Sequence, residues 1–167
     1  MKLLCLIRHA KSDWSNPFLS DFDRPLNTRG KKAAPFMGEV LLKKGIHPDL
    51  ILSSPAFRAK TTAGFIAQKL SYPLDAIGYE PLLYASDVER ILFVIRNTPE
   101  SIDTLFVFGH NPELTECTNA ICGTEIENIP TCGVVAMRLR EGQWKRIGFN
   151  AAELLFFDTP KQHGSPP

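Results

Sequence analysis

An apolar strand runs directly into a helix start in the stretch Thr104-Leu105-Phe106-Val107-Phe108-Gly109-His110-Asn111-Pro112. Consecutive apolar residues are typical of a strand covered on both faces, and Asn followed by Pro is typical of a helix N-terminus. The same order recurs at residues 49–55, where an apolar strand is followed by Ser54 and Pro55, and residues 2–8 form another unbroken apolar strand. Helical patterns occupy residues 28–44, 55–70 and 86–97. This alternation predicts a three-layer α/β sandwich built on an open, mostly parallel sheet.

The C-terminal third of the chain has a different pattern. Residues 134–139, 143–148 and 154–157 read as strands with no helix between them, and residues 75–79 read as a weaker strand. We therefore expect antiparallel strands at one edge of the sheet, near the C-terminus. A chain of 167 residues suits a single domain, which we place at residues 1–160, followed by a flexible polar tail at residues 161–167.

Composition narrows the class of protein. Lys and Arg number 19 and Asp and Glu 18, so a net charge of +1 provides no field that would attract nucleic acid or an anionic membrane. The apolar run Leu3–Ile7 is too short for a signal peptide or a spanning helix, which predicts a cytoplasmic protein without a membrane partner. The four cysteines have no CxxC spacing, so we expect no metal site.

Charged and titratable residues follow three of the predicted parallel strands. Arg8 and His9 follow the first strand, Arg58 lies shortly after the second, and His110 follows the strand at residues 104–109. Ligands of open α/β sheets bind beyond the carboxyl ends of the strands, where these side chains would meet. The sequence therefore predicts that two arginines and two histidines share one edge of the sheet.

These residue types suit the binding and transfer of a phosphoryl group. The planar arginine fork matches phosphate oxygens, and a neutral histidine among cations can act as a nucleophile. Each feature also has a structural interpretation: a hydrogen-bonded strand end, a solvated arginine, or a turn with a helix cap. A metal site at His9 and His110 is a further alternative, but neighbouring arginines and the lack of a carboxylate ligand disfavour it.

A family resemblance is carried by four segments in order along the chain. The first, Leu6-Ile7-Arg8-His9-Ala10-Lys11-Ser12, resembles the RHG signature of the histidine phosphatase (phosphoglycerate mutase-like) superfamily. The resemblance continues through Asp23-Arg24-Pro25-Leu26-Asn27-Thr28-Arg29-Gly30, Ser53-Ser54-Pro55-Ala56-Phe57-Arg58-Ala59-Lys60-Thr61-Thr62 and Gly109-His110-Asn111-Pro112. The short chain and the Arg-Pro-Leu segment look most like the SixA-type phosphohistidine phosphatase branch.

The resemblance implies a role for each matching residue. His9 would be the nucleophile that becomes phosphorylated, while Arg8, Arg58 and His110 would hold the phosphoryl oxygens. Arg24 corresponds to an arginine near the phosphate in the SixA-type branch. The implied reaction is ping-pong, with a phosphohistidine intermediate and no metal or other cofactor.

The chain departs from the family pattern at three places. Ala10 replaces the glycine of the RHG signature. Ser15 and Asn16 share the neighbourhood in which mutase-like members carry a phosphate-binding asparagine. The family's proton-donating carboxylate falls nearest Glu80, without its surrounding motif. Glu80 is therefore either the acid or a solvated loop carboxylate.

Two aspartates, Asp21 and Asp23, are alternatives to Glu80 as the proton donor. The resemblance predicts a phosphatase that acts on phosphohistidine in a protein, or on another small phosphorylated substrate. The alternatives are a small-molecule phosphomonoesterase, which includes mutase-type transfer, and a catalytically idle phosphoprotein-binding module.

Overall fold

A six-stranded sheet forms the centre of the computed structural model, which describes residues 1–164. The strands are β1 (Leu3–Arg8), β2 (Leu50–Ser53), β3 (Gly78–Tyr79), β4 (Thr104–Gly109), β5 (Val134–Leu139) and β6 (Ala152–Asp158). The helices are α1 (Thr28–Lys43), α2 (Phe57–Lys69), α3 (Val88–Arg96) and α4 (Glu113–Cys122). Short 3-10 turns occupy Leu74–Ala76, Pro81–Leu83, Trp144–Arg146 and Pro160–His163.

The strand order is β3-β2-β4-β1-β5-β6. Strands β3, β2, β4 and β1 are parallel, whereas β5 and β6 are antiparallel additions at one edge. The register aligns the carboxyl ends of the central strands, since Arg8 lies opposite Gly109 and Ser53 opposite Phe108. The predicted fold class, a mostly parallel sheet with antiparallel edge strands near the C-terminus, is confirmed.

Alternation along the central strands produces a hydrophobic core on each face of the sheet. On β1, Leu4 and Leu6 point into the core beneath α3 and α4, while Cys5 and Ile7 point into the core beneath α1 and α2. Because every strand residue from 4 to 7 is fully buried, the strand reads in the sequence as a continuous apolar run. Two helical layers enclosing the sheet make up the predicted three-layer sandwich.

Local signals fix the start of α1 next to the end of β1. The side chain of Asn27 accepts a hydrogen bond from the backbone N–H of Gly30 at 2.8 Å and so caps the helix. A Cβ atom at Gly30 would overlap the backbone carbonyl of Lys11. Glycine at this position therefore allows α1 to approach the chain just beyond β1.

Three predicted elements differ from the structure. The predicted strand at residues 143–148 is wrong: Trp144–Arg146 is a 3-10 turn, because Trp144 is fully buried and its indole N–H donates to the carbonyl of Ile102 at 2.7 Å. The strand expected at residues 75–79 shortens to Gly78–Tyr79 after a 3-10 turn. Helix α2 begins at Phe57 and not at Pro55, since Ser54 has a different partner, described below.

The predicted tail begins within a folded turn. Pro160–His163 form a 3-10 turn capped by Thr159, and residues 165–167 of the predicted tail lie outside the described residues. The domain limit at residue 160 stays a prediction. No helix within residues 1–164 has the length and apolar character to cross a membrane, and the cytoplasmic location stays a prediction.

Candidate active site

The carboxyl edge of the sheet brings together two histidines and two arginines, of which all but Arg8 are buried. Arg8 ends β1 and His9 follows it, Arg58 lies in the first turn of α2, and His110 directly follows β4. The ring centroids of His9 and His110 are 5.1 Å apart, and the Nε of Arg58 lies 3.4 Å from the Nε2 of His9. The structure therefore places these four residues at a common edge, as the strand-end pattern predicts.

Hydrogen bonding leaves one nitrogen of His9 available for attack. Its Nδ1 lies 2.7 Å from the carbonyl oxygen of Ala10, so this nitrogen carries the proton and donates it. The lone pair then resides on Nε2, where the N–H of Arg58 is a distant donor.

Burial holds His9 in its neutral form. Burial lowers the pKa of His9 to about 3, helped by the positive charges of His110, Arg58 and Arg8, while the hydrogen bond to Ala10 acts in the opposite direction. A neutral imidazole with a free Nε2 lone pair is the form that a nucleophilic histidine requires.

Ser54 fixes the orientation of His110. The hydroxyl oxygen of Ser54 accepts from the backbone N–H of Ala56 at 3.2 Å and lies 2.8 Å from the Nε2 of His110. The hydroxyl therefore holds the His110 ring through Nε2, and Nδ1 is the other ring nitrogen. That Nδ1 atom is buried and has no partner within residues 1–164. Burial, followed by the charge of Arg58, lowers the pKa of His110 to about 4.

Asp21 holds the guanidinium of Arg58 from the loop that precedes α1. Arg58 donates from Nη1 to the backbone carbonyl of Asp21 at 2.6 Å and from Nη2 to its carboxylate at 3.0 Å. The hydroxyl of Tyr84 donates to the same carboxylate at 2.8 Å, and Arg24 lies 3.3 Å from its other oxygen. Burial raises the pKa of Asp21, but the hydrogen bonds from Tyr84, Arg58 and Arg24 outweigh it and lower the value to about 2. Asp21 is therefore an ionised group that positions Arg58.

Arg8 and Arg24 each retain an unsatisfied donor. Arg8 donates from Nη1 to the backbone carbonyl of Ile129 at 2.9 Å, and Arg24 stacks on the ring of Trp14 at 3.4 Å. The Nε atoms of both arginines are buried without a partner among residues 1–164. Unpaired buried donors are costly in a folded protein, and a bound anion satisfies them.

Several sequence-predicted site residues lie away from the cluster. The side chain of Glu80 lines a separate cavity of about 390 Å³ with Leu50, Leu52 and Phe93, and it makes no hydrogen bond or ion pair with residues 1–164. The other three residues, Ser15, Asn16 and Asp23, take part in hydrogen bonds within the loop that precedes α1. Asp13 accepts from the backbone of Ser15, Asn16 accepts from the backbone of Phe18, and Ser20 donates to Asp23. The structure does not bring Glu80, Ser15, Asn16 or Asp23 to His9.

Two residues of the site were not identified from the sequence. Ser54 reads locally as a helix cap, although its position directly after β2 could have indicated a contact with His110. Tyr84 has no motif of its own, and its ring packs edge-on against His110 with centroids 5.6 Å apart. No group of three or more His, Cys, Asp or Glu side chains within the described chain is arranged to hold a metal ion.

The fold and the cluster define an α/β protein with two histidines and two arginines gathered at the carboxyl edge of its sheet. Comparison with known proteins identifies the family: the model of the histidine phosphatase superfamily (branch 1) matches residues 4–78. An uncharacterised protein of Mycobacterium tuberculosis (strain CDC 1551 / Oshkosh) is 30% identical over 166 residues, which cover 93% of this chain and all of that protein. The chain belongs to the histidine phosphatase superfamily.

Two further relatives bear on activity. A phosphatase of Bacillus subtilis, PhoE, is 37% identical over 76 residues, which cover 44% of this chain and 38% of that protein. A structure from Agrobacterium tumefaciens that is assigned as the phosphohistidine phosphatase SixA superposes with a TM-score of 0.82 and 27% identity, covering 95% of this chain and 98% of that chain. The predicted resemblance to the SixA-type branch is confirmed, and these similarities support phosphatase activity.

Proposed function

We propose that the protein is a metal-independent phosphatase that acts on phosphohistidine in a protein through a phosphohistidine intermediate at His9. Membership of the histidine phosphatase superfamily supports the hydrolysis of a phosphorylated substrate. The neutral state of His9, its free Nε2 and the neighbouring cations support its role as the nucleophile. The unpaired Nε–H of Arg8 and the unpaired Nδ1 of His110 support the role of both residues in holding phosphoryl oxygens.

The reaction has two steps that leave the enzyme unchanged. In the first, the Nε2 lone pair of His9 forms a bond to phosphorus as the bond to the leaving imidazole breaks. The leaving ring already carries a proton on its other nitrogen and so departs as neutral imidazole. In the second, water attacks phosphorus, the bond to Nε2 breaks, and inorganic phosphate leaves. Arg8, Arg58 and His110 stabilise the negative charge on the phosphoryl oxygens in both steps.

The protonation state of Asp21 determines which leaving groups the site can expel readily. Asp21 is the carboxylate that contacts Arg58, and its pKa of about 2 makes it a poor proton donor at neutral pH. No other carboxylate within residues 1–164 bonds to His9, Arg58 or His110. An alkoxide needs a proton as it leaves, whereas an imidazole is far less basic and needs little help. The site thus favours phosphohistidine over an alkyl phosphate.

Exposed apolar side chains beside the site support a protein as the substrate. Trp14 is 68% exposed, Phe18 95% and Phe22 38%, and all three lie in the loop that carries Asp21. The backbone carbonyl of Phe22 accepts from the N–H of Phe57 at 2.9 Å, which ties this loop to the start of α2. Exposed apolar groups gathered beside a binding site are typical of surfaces that contact another protein.

A panel of three substrates tests the proposal. A phosphohistidine peptide, an alkyl phosphate and an aryl phosphate with an acidic phenol are compared by the release of inorganic phosphate, with and without EDTA. We expect turnover of the peptide and the aryl phosphate, much slower turnover of the alkyl phosphate, and no effect of EDTA. Equal or faster turnover of the alkyl phosphate would identify a phosphomonoesterase, and binding without turnover of any substrate would identify a phosphoprotein-binding module.

A further inference from the structure

A second cavity lies at the same edge of the sheet as the catalytic cluster. It measures about 460 Å³ and carries Lys11, Arg29 and Lys161 on its walls. Lys11 is two residues beyond His9, and Lys161 lies in the turn that follows β6. None of the four clustered histidines and arginines lines this cavity. It is therefore a neighbouring space with its own side chains.

The register of the edge strands explains how these side chains meet. β6 ends at Asp158 opposite Val134, which in turn lies opposite Ile7 at the carboxyl end of β1. The antiparallel strands consequently deliver residues 130–131 and 159–161 to the same edge at which β1 delivers Lys11.

The cavity carries positive charge that no carboxylate neutralises. Lys11, Arg29 and Lys161 make no ion pair with residues 1–164, and no Asp or Glu lines the cavity. Asp158, at the end of β6, is paired with Lys44 at 3.2 Å and lies 3.0 Å from His163. Three cations thus face one space without a counter-charge from the protein.

The start of α1 adds to this positive potential. The helix spans 16 residues and has no acidic residue in its first turn, where Arg29 lies. A helix N-terminus carries a partial positive charge, so acidic residues stabilise it and basic residues oppose it. The positive end of α1 is therefore left without an acidic side chain in its first turn.

Two hydroxyl groups provide neutral hydrogen-bond donors beside the cations. Thr131 and Thr159 both line the cavity. The Thr159 hydroxyl accepts from the backbone of Gln162, which leaves its own hydrogen free to donate. Charged and neutral donors around one cavity suit oxyanions that bear several oxygens.

We propose that this cavity binds a small polyanion of the phosphate class at a site separate from the catalytic cluster. The anion is either a second charged group of the substrate or a free phosphorylated ligand. Both have the same chemistry, and a kinetic comparison distinguishes them. A substrate that bears two phosphates loses affinity, seen as a higher KM, when the cavity cations are removed, whereas a free ligand leaves the KM of every substrate unchanged.

Inorganic pyrophosphate is the probe for binding. Titration into the isotopically labelled full chain at low salt should shift the backbone amide signals of Lys11, Thr131 and Thr159 along a saturable curve. One charge at about 4 Å in water is worth about a fivefold change in affinity, so Arg29→Ala and Lys161→Ala should each weaken binding about fivefold. Added salt should weaken binding further by screening.

Lys31→Ala is the matched control, because Lys31 lies two residues from Arg29 in α1 and does not line the cavity. It should change the dissociation constant less than about twofold. Hydrolysis of an aryl phosphate measures the catalytic site independently, and Arg29→Ala should leave it unchanged. The proposal is overturned when the amide signals of the cavity residues show no saturable shift. It is also overturned when Lys31→Ala weakens binding as much as Arg29→Ala does, provided that both variants have the melting temperature of the parent.

Discussion

Acidification should destabilise the protein because two histidines are buried in their neutral forms. The pKa of His9 falls from 6.5 to about 3 on folding, chiefly through burial, and that of His110 falls to about 4 for the same reason. Between these values and 6.5 the unfolded chain binds protons that the folded chain excludes. The contribution of these two histidines to the free energy of unfolding is therefore fully present above about pH 7. It is lost as the pH falls through this window.

The magnitude follows from the two shifts. Lowering the pH from 7 to 5 should reduce the free energy of unfolding by about 2 kcal/mol for His9 and by about the same amount for His110. The combined loss of about 4 kcal/mol is a large part of the roughly 5–15 kcal/mol that stabilises an ordinary domain.

Urea unfolding at both pH values, in buffers free of phosphate and other oxyanions, measures this loss. His9→Gln should remove about half of the pH dependence, since one of the two buried imidazoles is gone. His47→Gln is the control, because His47 is exposed and lies outside the cluster, and it should lose as much stability as the parent. An equal loss in the parent and in His9→Gln would refute the reasoning, because proton exclusion by His9 would then contribute nothing.

Three further predictions concern catalysis and are checked by initial-rate kinetics. Arg58→Ala should lower kcat by about 10²–10³-fold. Arg58→Lys should recover only part of the lost activity, because lysine cannot keep both contacts to Asp21. Full recovery of kcat by Arg58→Lys would contradict this reason. Tyr84→Phe keeps the ring against His110 but removes a donor to Asp21, and should lower kcat/KM by about three- to tenfold; an unchanged value would exclude a positioning role. Glu80→Gln should change alkyl and aryl phosphate hydrolysis less than about twofold, whereas a 10²–10⁴-fold loss on the alkyl substrate alone would restore Glu80 as the proton donor.

The residues that the sequence predicted well are those fixed by short-range patterns. Each buried strand is a continuous apolar run, and the residue after its last position must lie at the carboxyl edge of a parallel sheet. The meeting of His9, Arg58 and His110 follows from that topology alone. The start of α1 could likewise be located, since the helical pattern begins at residue 28 and Asn27 caps the helix that begins there.

The features that the sequence did not predict depend on tertiary contacts. Asp21 and Tyr84 come from loops 63 residues apart, and no periodicity specifies that their side chains meet. Ser54 and Pro55 have the local pattern of a helix start, but the contact of Ser54 with His110 replaces that role. Residues 143–148 were read as a strand, whereas burial of the Trp144 indole against Ile102 imposes a turn.

The most direct test of the central claim is to trap the phosphorylated protein. The parent is mixed with an aryl phosphate, quenched in alkali to preserve phosphohistidine, and analysed by intact and tandem mass spectrometry. We expect one phosphoryl group on His9 in the parent and in His47→Ala, and none in His9→Ala, which should retain less than about a hundredth of the activity. Turnover without a phosphorylated intermediate, a phosphoryl group on another residue, or substantial activity of His9→Ala would contradict covalent catalysis by His9.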